Sequence, residues 1–158
     1  MKITTALVAL LLMIISTHAF AAGSKRKDSL CDNLQAFLAS VRPDEKRAIT
    51  LYTFWGAREE GDRIVMGSKH CEHSDYEPGK KLCDYLMDNS STEFPGYNVK
   101  RVLSCFAPRP GLPKDLDINS GSFSTRYGSS NRGALVDIDL YPDTESDDMA
   151  FRLVADGY

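Results

Sequence analysis

Two short stretches in the last third of the sequence decide the fold class. Residues 133–141 read GALVDIDLY, and residues 149–154 read MAFRLV. Apolar side chains occupy every second position of the first stretch, at Ala134, Val136, Ile138 and Leu140. The second stretch alternates in the same way, and such alternation is typical of strands with one buried face. With the acidic segment 142–148 between them, the two stretches predict an antiparallel β-hairpin.

Upstream of this hairpin, three segments have helical spacing. The first carries apolar residues at Leu30, Leu34, Phe37, Leu38 and Val41 and ends at Arg42-Pro43. The second begins at Pro78 and runs to about Asn89, and the third begins at Pro95 and carries Val99, Val102, Leu103 and Phe106. The sequence therefore predicts about three helices.

A further strand is predicted between the first two helices. Residues 47–55 are rich in β-branched and aromatic side chains and place Ile49, Leu51, Thr53 and Trp55 on one side, which we expect to face the core. We interpret the charged segment 57–77 mainly as a loop, with a short strand possible only at residues 63–66. The proline-rich segment 107–113 predicts extended chain, and the serine- and glycine-rich segment 119–133 a surface loop.

Together these elements predict an α+β fold in which helices pack on an antiparallel sheet. The chain has 158 residues, of which 42% are hydrophobic and 26% charged, and a formal net charge of −3. This composition excludes a disordered chain, a collagen-like repeat and a strongly basic nucleic-acid-binding protein, and the length argues against several domains.

The first residues have the pattern of a secretory signal peptide. Lys2 precedes an apolar run from Ala6 to Ile15, and Ala19-Phe20-Ala21 resembles a cleavage site. We therefore predict a signal peptide at residues 1–21 and one exported domain at 22–158, with a mobile basic start at 22–28. Cleavage would leave 137 residues and, by removing Lys2, a net charge of −4. The predicted location is periplasmic or secreted, with no membrane insertion after cleavage.

Four cysteines in an exported chain indicate two disulfides. Three pairings are possible, and we favour Cys71–Cys83, which closes a local loop, with Cys31–Cys105, which ties the first helix to the third. The alternative use of Cys71 is a metal site with His70 and His73, but the spacing matches no standard zinc pattern. We therefore predict no metal and no cofactor, and keep the two histidines as the only metal candidates.

An acidic run is a second candidate for a cation-binding site. Six carboxylates lie between Asp137 and Asp148, but Pro142 stands where a calcium-binding EF-hand loop needs glycine. We expect Asp137 and Asp139 to line the solvated side of a strand, with Arg152 as a cross-strand partner.

No motif in the sequence identifies a reaction. It contains no P-loop, no dinucleotide fingerprint and no HExxH, and Thr125 replaces the second glycine of a serine-nucleophile elbow. If the chain does have a chemical function, the candidate is a hydrolase or a metal-binding envelope protein that uses His70 or His73, with Glu72 or Asp75 as the acid. The segment 119–132 favours a binding protein instead.

The segment 119–132 has the composition of a recognition surface. It sets Phe123, Arg126, Tyr127 and Arg132 among serine, glycine and asparagine, and aromatic and arginine side chains are common at binding sites. A flexible surface loop is the competing interpretation. We predict an exported, non-enzymatic protein of the inhibitor or immunity type that binds a protein partner through these four residues. We predict no binding of nucleic acid.

Overall fold

The computed structural model describes residues 29–107, 112–113 and 115–158. The elements in chain order are α1 (Leu30–Ser40), β1 (Lys46–Glu60), β2 (Arg63–Glu72), α2 (Glu77–Asn89), α3 (Pro95–Phe106), β3 (Gly121–Gly128), β4 (Gly133–Pro142) and β5 (Met149–Gly157). The predicted signal peptide and the predicted mobile start at 22–28 lie outside the described residues. None of the described helices is long and apolar enough to cross a membrane.

The five strands form one antiparallel sheet in the order β2-β1-β5-β4-β3. The predicted α+β class, the three helices and the C-terminal hairpin are all confirmed. In the hairpin Leu140 lies opposite Phe151 and Ile138 opposite Leu153, so their apolar side chains point to the same side of the sheet. β5 is the central strand and joins the hairpin β1–β2 to the hairpin β3–β4.

The core lies between one side of the sheet and the helices. On α1 the apolar residues recur three to four positions apart, which places Leu30, Leu34, Phe37 and Leu38 on one buried stripe. They pack with the apolar residues of α2 and α3 and with one side of the three central strands, including Leu51, Phe151 and Ile138.

A glycine permits the close approach of α3 to the segment that precedes β3. A Cβ atom on Gly96 would lie 1.7 Å from the carbonyl oxygen of Ile118, which no side chain could accommodate. Gly96 thus fixes the position of residues 115–118 against the start of α3.

Two disulfides cross-link these layers. Cys31–Cys105 joins α1 to α3 and Cys71–Cys83 joins β2 to α2, with Cα–Cα distances of 5.3 and 5.6 Å. This is the pairing that the spacing favoured. Two disulfides in a chain of this size are typical of exported proteins.

Two predicted loops are strands in the structure, and the loop predictions there were wrong. β1 continues to Glu60 and β2 covers Arg63–Glu72, within the segment assigned mainly to a loop. Many of these positions face solvent on both sides of the ribbon, so its sequence has no apolar alternation. The segment 119–133 contains β3, whose alternation of half-buried and exposed positions is hidden because the exposed ones are serine, arginine and glycine.

The prediction that Trp55 belongs to the core was also wrong. Its side chain is 59% exposed, whereas Ile49 and Leu51 on the same strand are buried. Trp55 continues their alternation, but it lies beyond the part of β1 that pairs with β5, which ends at Thr53.

Candidate functional site

Within the described part of the chain, the helices pack on one side of the sheet only, and we call the opposite side the uncovered face. Alternation along the strands assigns to it the residues opposite in phase to the core. They are Ile64, Met66, Ser68, His70 and Glu72 on β2, Thr50, Tyr52 and Phe54 on β1, Ala150, Arg152 and Val154 on β5, Leu135, Asp137, Asp139 and Tyr141 on β4, and Ser122, Ser124 and Arg126 on β3.

The hairpin β1–β2 extends beyond the rest of the sheet. β5 pairs with β1 only from Lys46 to Thr53, so residues 54–68 form a two-stranded projection, which we call the arm. The register between β1 and β2 shifts between Trp55 and Arg58. Gly56, at φ +147°, adopts in this bulge a backbone conformation that side chains disfavour.

Arg58 anchors the arm to the loop between β4 and β5. Its Nη1 donates to Oδ1 of Asp148 at 2.6 Å, and the Asp148 side chain is only 2% exposed. Its Nη2 donates to Oγ of Ser68 at 2.9 Å, and its guanidinium lies 4.4 Å from the centre of the Phe54 ring. The arm is therefore held by specific contacts and not by backbone pairing alone.

Apolar side chains form a band across the arm side of the uncovered face. Ile64 is 69% exposed, Met66 62% and Tyr141 38%, while Tyr52 and Phe54 between them are half-buried. We call these five residues the apolar band. Exposed apolar groups clustered on one surface mark interaction sites more often than isolated ones do.

His70 and Tyr52 stack at the middle of the band. Their ring centres are 4.3 Å apart and the ring planes differ by 10°. Burial raises the pKa of the Tyr52 hydroxyl, and the nearby groups Glu72, Tyr141, Asp143 and Glu145 raise it further. Three carboxylates, Glu72, Asp143 and Glu145, are thus near the Tyr52 end of the band, whereas the Arg58 guanidinium lies on Phe54.

The other half of the uncovered face carries mainly polar side chains, apart from one exposed leucine on β4. Asp139 lies directly opposite Arg152 on β5, as the sequence predicted, and Asp137 lies opposite Val154. Asp137 accepts a hydrogen bond of 2.7 Å from the hydroxyl of Ser124 on β3.

The four residues predicted to bind a partner lie on or beside β3 but do not share one surface. Phe123 and Tyr127 point to the helix side and pack half-buried against the core. Arg126 points the other way and is exposed on the uncovered face. Arg132 is exposed in the turn after β3, where its Nη2 lies 3.4 Å from the carbonyl oxygen of Val41.

The two histidines kept as metal candidates are in different environments. His70 is exposed on the uncovered face, whereas His73 is half-buried in the turn before α2. The Nδ1 atom of His73 is buried and has no hydrogen-bond partner among the described residues. Within that part of the chain, no three His, Cys, Asp or Glu side chains converge as a metal site would require.

A concave site of about 570 Å³ lies between the start of α3 and the segment 115–118. Its walls include Phe94, Tyr97, Lys100, Asp115 and Asp117. Neither His70 nor His73 contributes to it, so the acid–base pair of the hydrolase hypothesis is not assembled there.

Comparison of the chain with protein-family models, with curated proteins and with solved structures gave no match. Sequence reasoning missed the arm, and the one signal for it was the short apolar run Ile64-Val65-Met66 inside a charged segment.

Proposed function

We propose that this protein is an exported, non-enzymatic binding protein of the inhibitor or immunity type, which recognises a protein partner through the apolar band. The observation that carries the proposal is the exposure of Ile64 and Met66, at 69% and 62%, on an arm that projects beyond the sheet. Aromatic residues and methionine are enriched in the buried centres of protein–protein interfaces.

The exposed apolar side chains of the arm would gain burial from a partner, which the described part of this protein does not give them. A two-stranded hairpin is marginally stable by itself in water. Removing an isoleucine or methionine side chain from water contributes about 1.5–3 kcal/mol. A partner that covers Ile64 and Met66 would therefore gain affinity from surface that the free protein leaves in solvent.

The carboxylates near the band indicate the chemistry of the partner. Glu72, Asp143 and Glu145 are close enough to Tyr52 for their charges to raise its pKa. A complementary surface would be apolar at its centre and basic where it meets Tyr52 and these carboxylates. Such charge complementarity accelerates association, and salt weakens the effect.

The experiment is a binding measurement on variants of the band. The oxidised protein is used to capture a stoichiometric partner from the exported compartment of its source, and the affinity of that partner is then measured. We expect the double substitution Ile64→Ser with Met66→Ser to weaken binding by at least about 30-fold, since it removes two central apolar contacts. The thermal midpoint should stay unchanged because both side chains are exposed.

A matched control is Phe94→Ser, because Phe94 is 60% exposed but lies outside the band. This variant should bind like the unmodified protein. The proposal fails if no stoichiometric partner is captured, or if the band variant and the control bind equally well.

A further inference from the structure

β3 is an edge strand of the described sheet, and its one charged side chain is that of Arg126. It pairs with β4 over eight residues in uninterrupted register, and no other described strand lies beside it. Edge strands are usually protected by proline, by charged side chains and lysine above all, by a bulge, by short length or by a covering segment. β3 contains no proline, no lysine and no bulge.

Hydrogen bonds at the end of β4 show which backbone groups of β3 point outward. Gly133 donates to the carbonyl of Tyr158 at 3.2 Å and accepts from its N–H at 3.0 Å, so both its groups point toward the β5 side. Because the direction alternates along a strand, the next residue, Ala134, points toward β3 and bonds its partner Tyr127. The backbone N–H and C=O groups of the even-numbered residues of β3, among them Ser122, Ser124 and Arg126, therefore point outward.

A second copy of β3 can pair with this edge in several registers, and one of them matches the side chains better than the adjacent registers do. Two copies related by a twofold axis pair in antiparallel fashion, with side chains on the same side of the sheet opposite each other. When Thr125 lies on the axis, Phe123 of each copy faces Tyr127 of the other. Aromatic cross-strand pairs of this kind stabilise sheets.

The same register also matches charges. Arg126 of one copy lies opposite Ser124 of the other, and the Ser124 hydroxyl is bonded to Asp137 at 2.7 Å. Arg126 therefore points toward a carboxylate whose neighbour on β5 is the apolar Val154. Shifting the axis to Ser124 would direct Arg126 toward Asp139, which already faces Arg152, and would separate the aromatic pairs.

We propose that the protein forms a homodimer in which the β3 strands of two copies pair antiparallel about Thr125. The two five-stranded sheets then form one continuous sheet of ten strands. Three of the residues that sequence composition indicated for partner binding, Phe123, Arg126 and Tyr127, lie in this contact. The dimer uses the edge opposite to the arm, so it is independent of the binding proposed for the apolar band.

The first test removes an outward N–H without disturbing the fold. In Ser124→Pro the missing N–H points away from β4, and proline is tolerated on the outer side of an edge strand. Sedimentation velocity over a concentration series should give a dimer for the unmodified protein and a monomer for this variant. Unchanged far-ultraviolet circular dichroism would show that the variant is folded.

The second test reverses the charges. Arg126→Asp should raise the dimer dissociation constant by about ten-fold or more, because two ion pairs become repulsive. Combining Arg126→Asp with Asp137→Arg should restore the dimer. The matched control is Arg63→Asp, an exposed arginine on the other edge strand, which should dimerise normally.

Three results would overturn the proposal: a monomer at every concentration, a dimer that persists in Ser124→Pro, or a charge-reversed double variant that stays monomeric. A monomer that instead binds an added strand-forming peptide along β3 would assign the edge to another protein.

Discussion

Phe151 and Trp55 are large aromatic residues on neighbouring strands, and their surroundings differ completely. Phe151 on β5 lies opposite Leu51, is 1% exposed and belongs to the core. Trp55 on β1 is 59% exposed and lies over Gly67, where a Cβ atom would be 3.2 Å from its ring. Packing on all sides, not ring size, decides how much each residue contributes to the free energy of unfolding.

We expect Phe151→Ala to lower the free energy of unfolding by about 3–5 kcal/mol, the usual cost of a cavity in the core. Trp55→Ala should lower it by less than about 1 kcal/mol, since little packing is lost at an exposed site. Urea denaturation followed by circular dichroism measures both values. Equal losses for the two variants would contradict this assignment of the core.

At the scale of elements, one carboxylate links the two ends of the connection from α1 to β1. Glu45 accepts hydrogen bonds from the backbone N–H of Arg42 at 3.0 Å, from the Arg42 guanidinium and from the Arg47 guanidinium. These bonds lower the pKa of Glu45 from 4.5 to about 2, with the backbone bond as the largest cause. These hydrogen bonds therefore favour the ionised carboxylate of Glu45 over its protonated form.

This lowered pKa predicts a pH dependence of stability. Because the pKa is lower in the folded protein, Glu45 stabilises the fold fully above pH 4.5 and loses this effect as the pH falls toward 2. Glu45→Gln should be less stable than the unmodified protein at pH 7, and the difference should disappear near pH 2. Thermal unfolding between pH 7 and 2 measures it, with the exposed Glu59→Gln as a control. A difference that stays constant with pH would disprove the role of the charge.

The elements differ in how far the sequence could predict them. The stripe of α1 and the alternation of β4 were visible because each element buries one side in a single core. The arm was not visible, since both its sides meet solvent and its apolar residues Ile64 and Met66 remain exposed. β3 was missed because serine occupies two of its outward positions, Ser122 and Ser124, and serine is equally typical of loops.

The candidate site was the least predictable part. The alternation along β1 shows that Trp55 and Ile49 point to the same side of the sheet. It does not show that the helices cover Ile49 and leave Trp55 exposed. Composition identified Phe123, Arg126 and Tyr127 as a group, but only the strand conformation places Arg126 on the side opposite to the two rings. The uncovered face depends on how helices and strands pack, which a local pattern does not contain.

For the whole molecule, the two disulfides constrain chain segments of very different length. Cys31–Cys105 spans 74 residues and Cys71–Cys83 spans 12. The entropy that a cross-link removes from the unfolded chain increases with the length of the closed loop. The first disulfide should therefore stabilise the protein more than the second.

We expect replacement of Cys31 and Cys105 by serine to cost about 4.5 kcal/mol, and replacement of Cys71 and Cys83 about 3 kcal/mol. Guanidinium denaturation of each double variant, compared with the unmodified oxidised protein, gives these values. The reverse order of losses would show that loop length does not control the stabilisation here.

The position of β5 has a consequence for how the chain acquires its structure during synthesis. β5 follows every other described element in the chain, yet it is the strand that joins β1 to β4. A chain that emerges from its N-terminal end can form both outer hairpins, but they stay separate until residues 149–157 arrive. Such long-range pairing makes folding slow. The nascent chain therefore remains without its complete core until residues 149–157 have been synthesised.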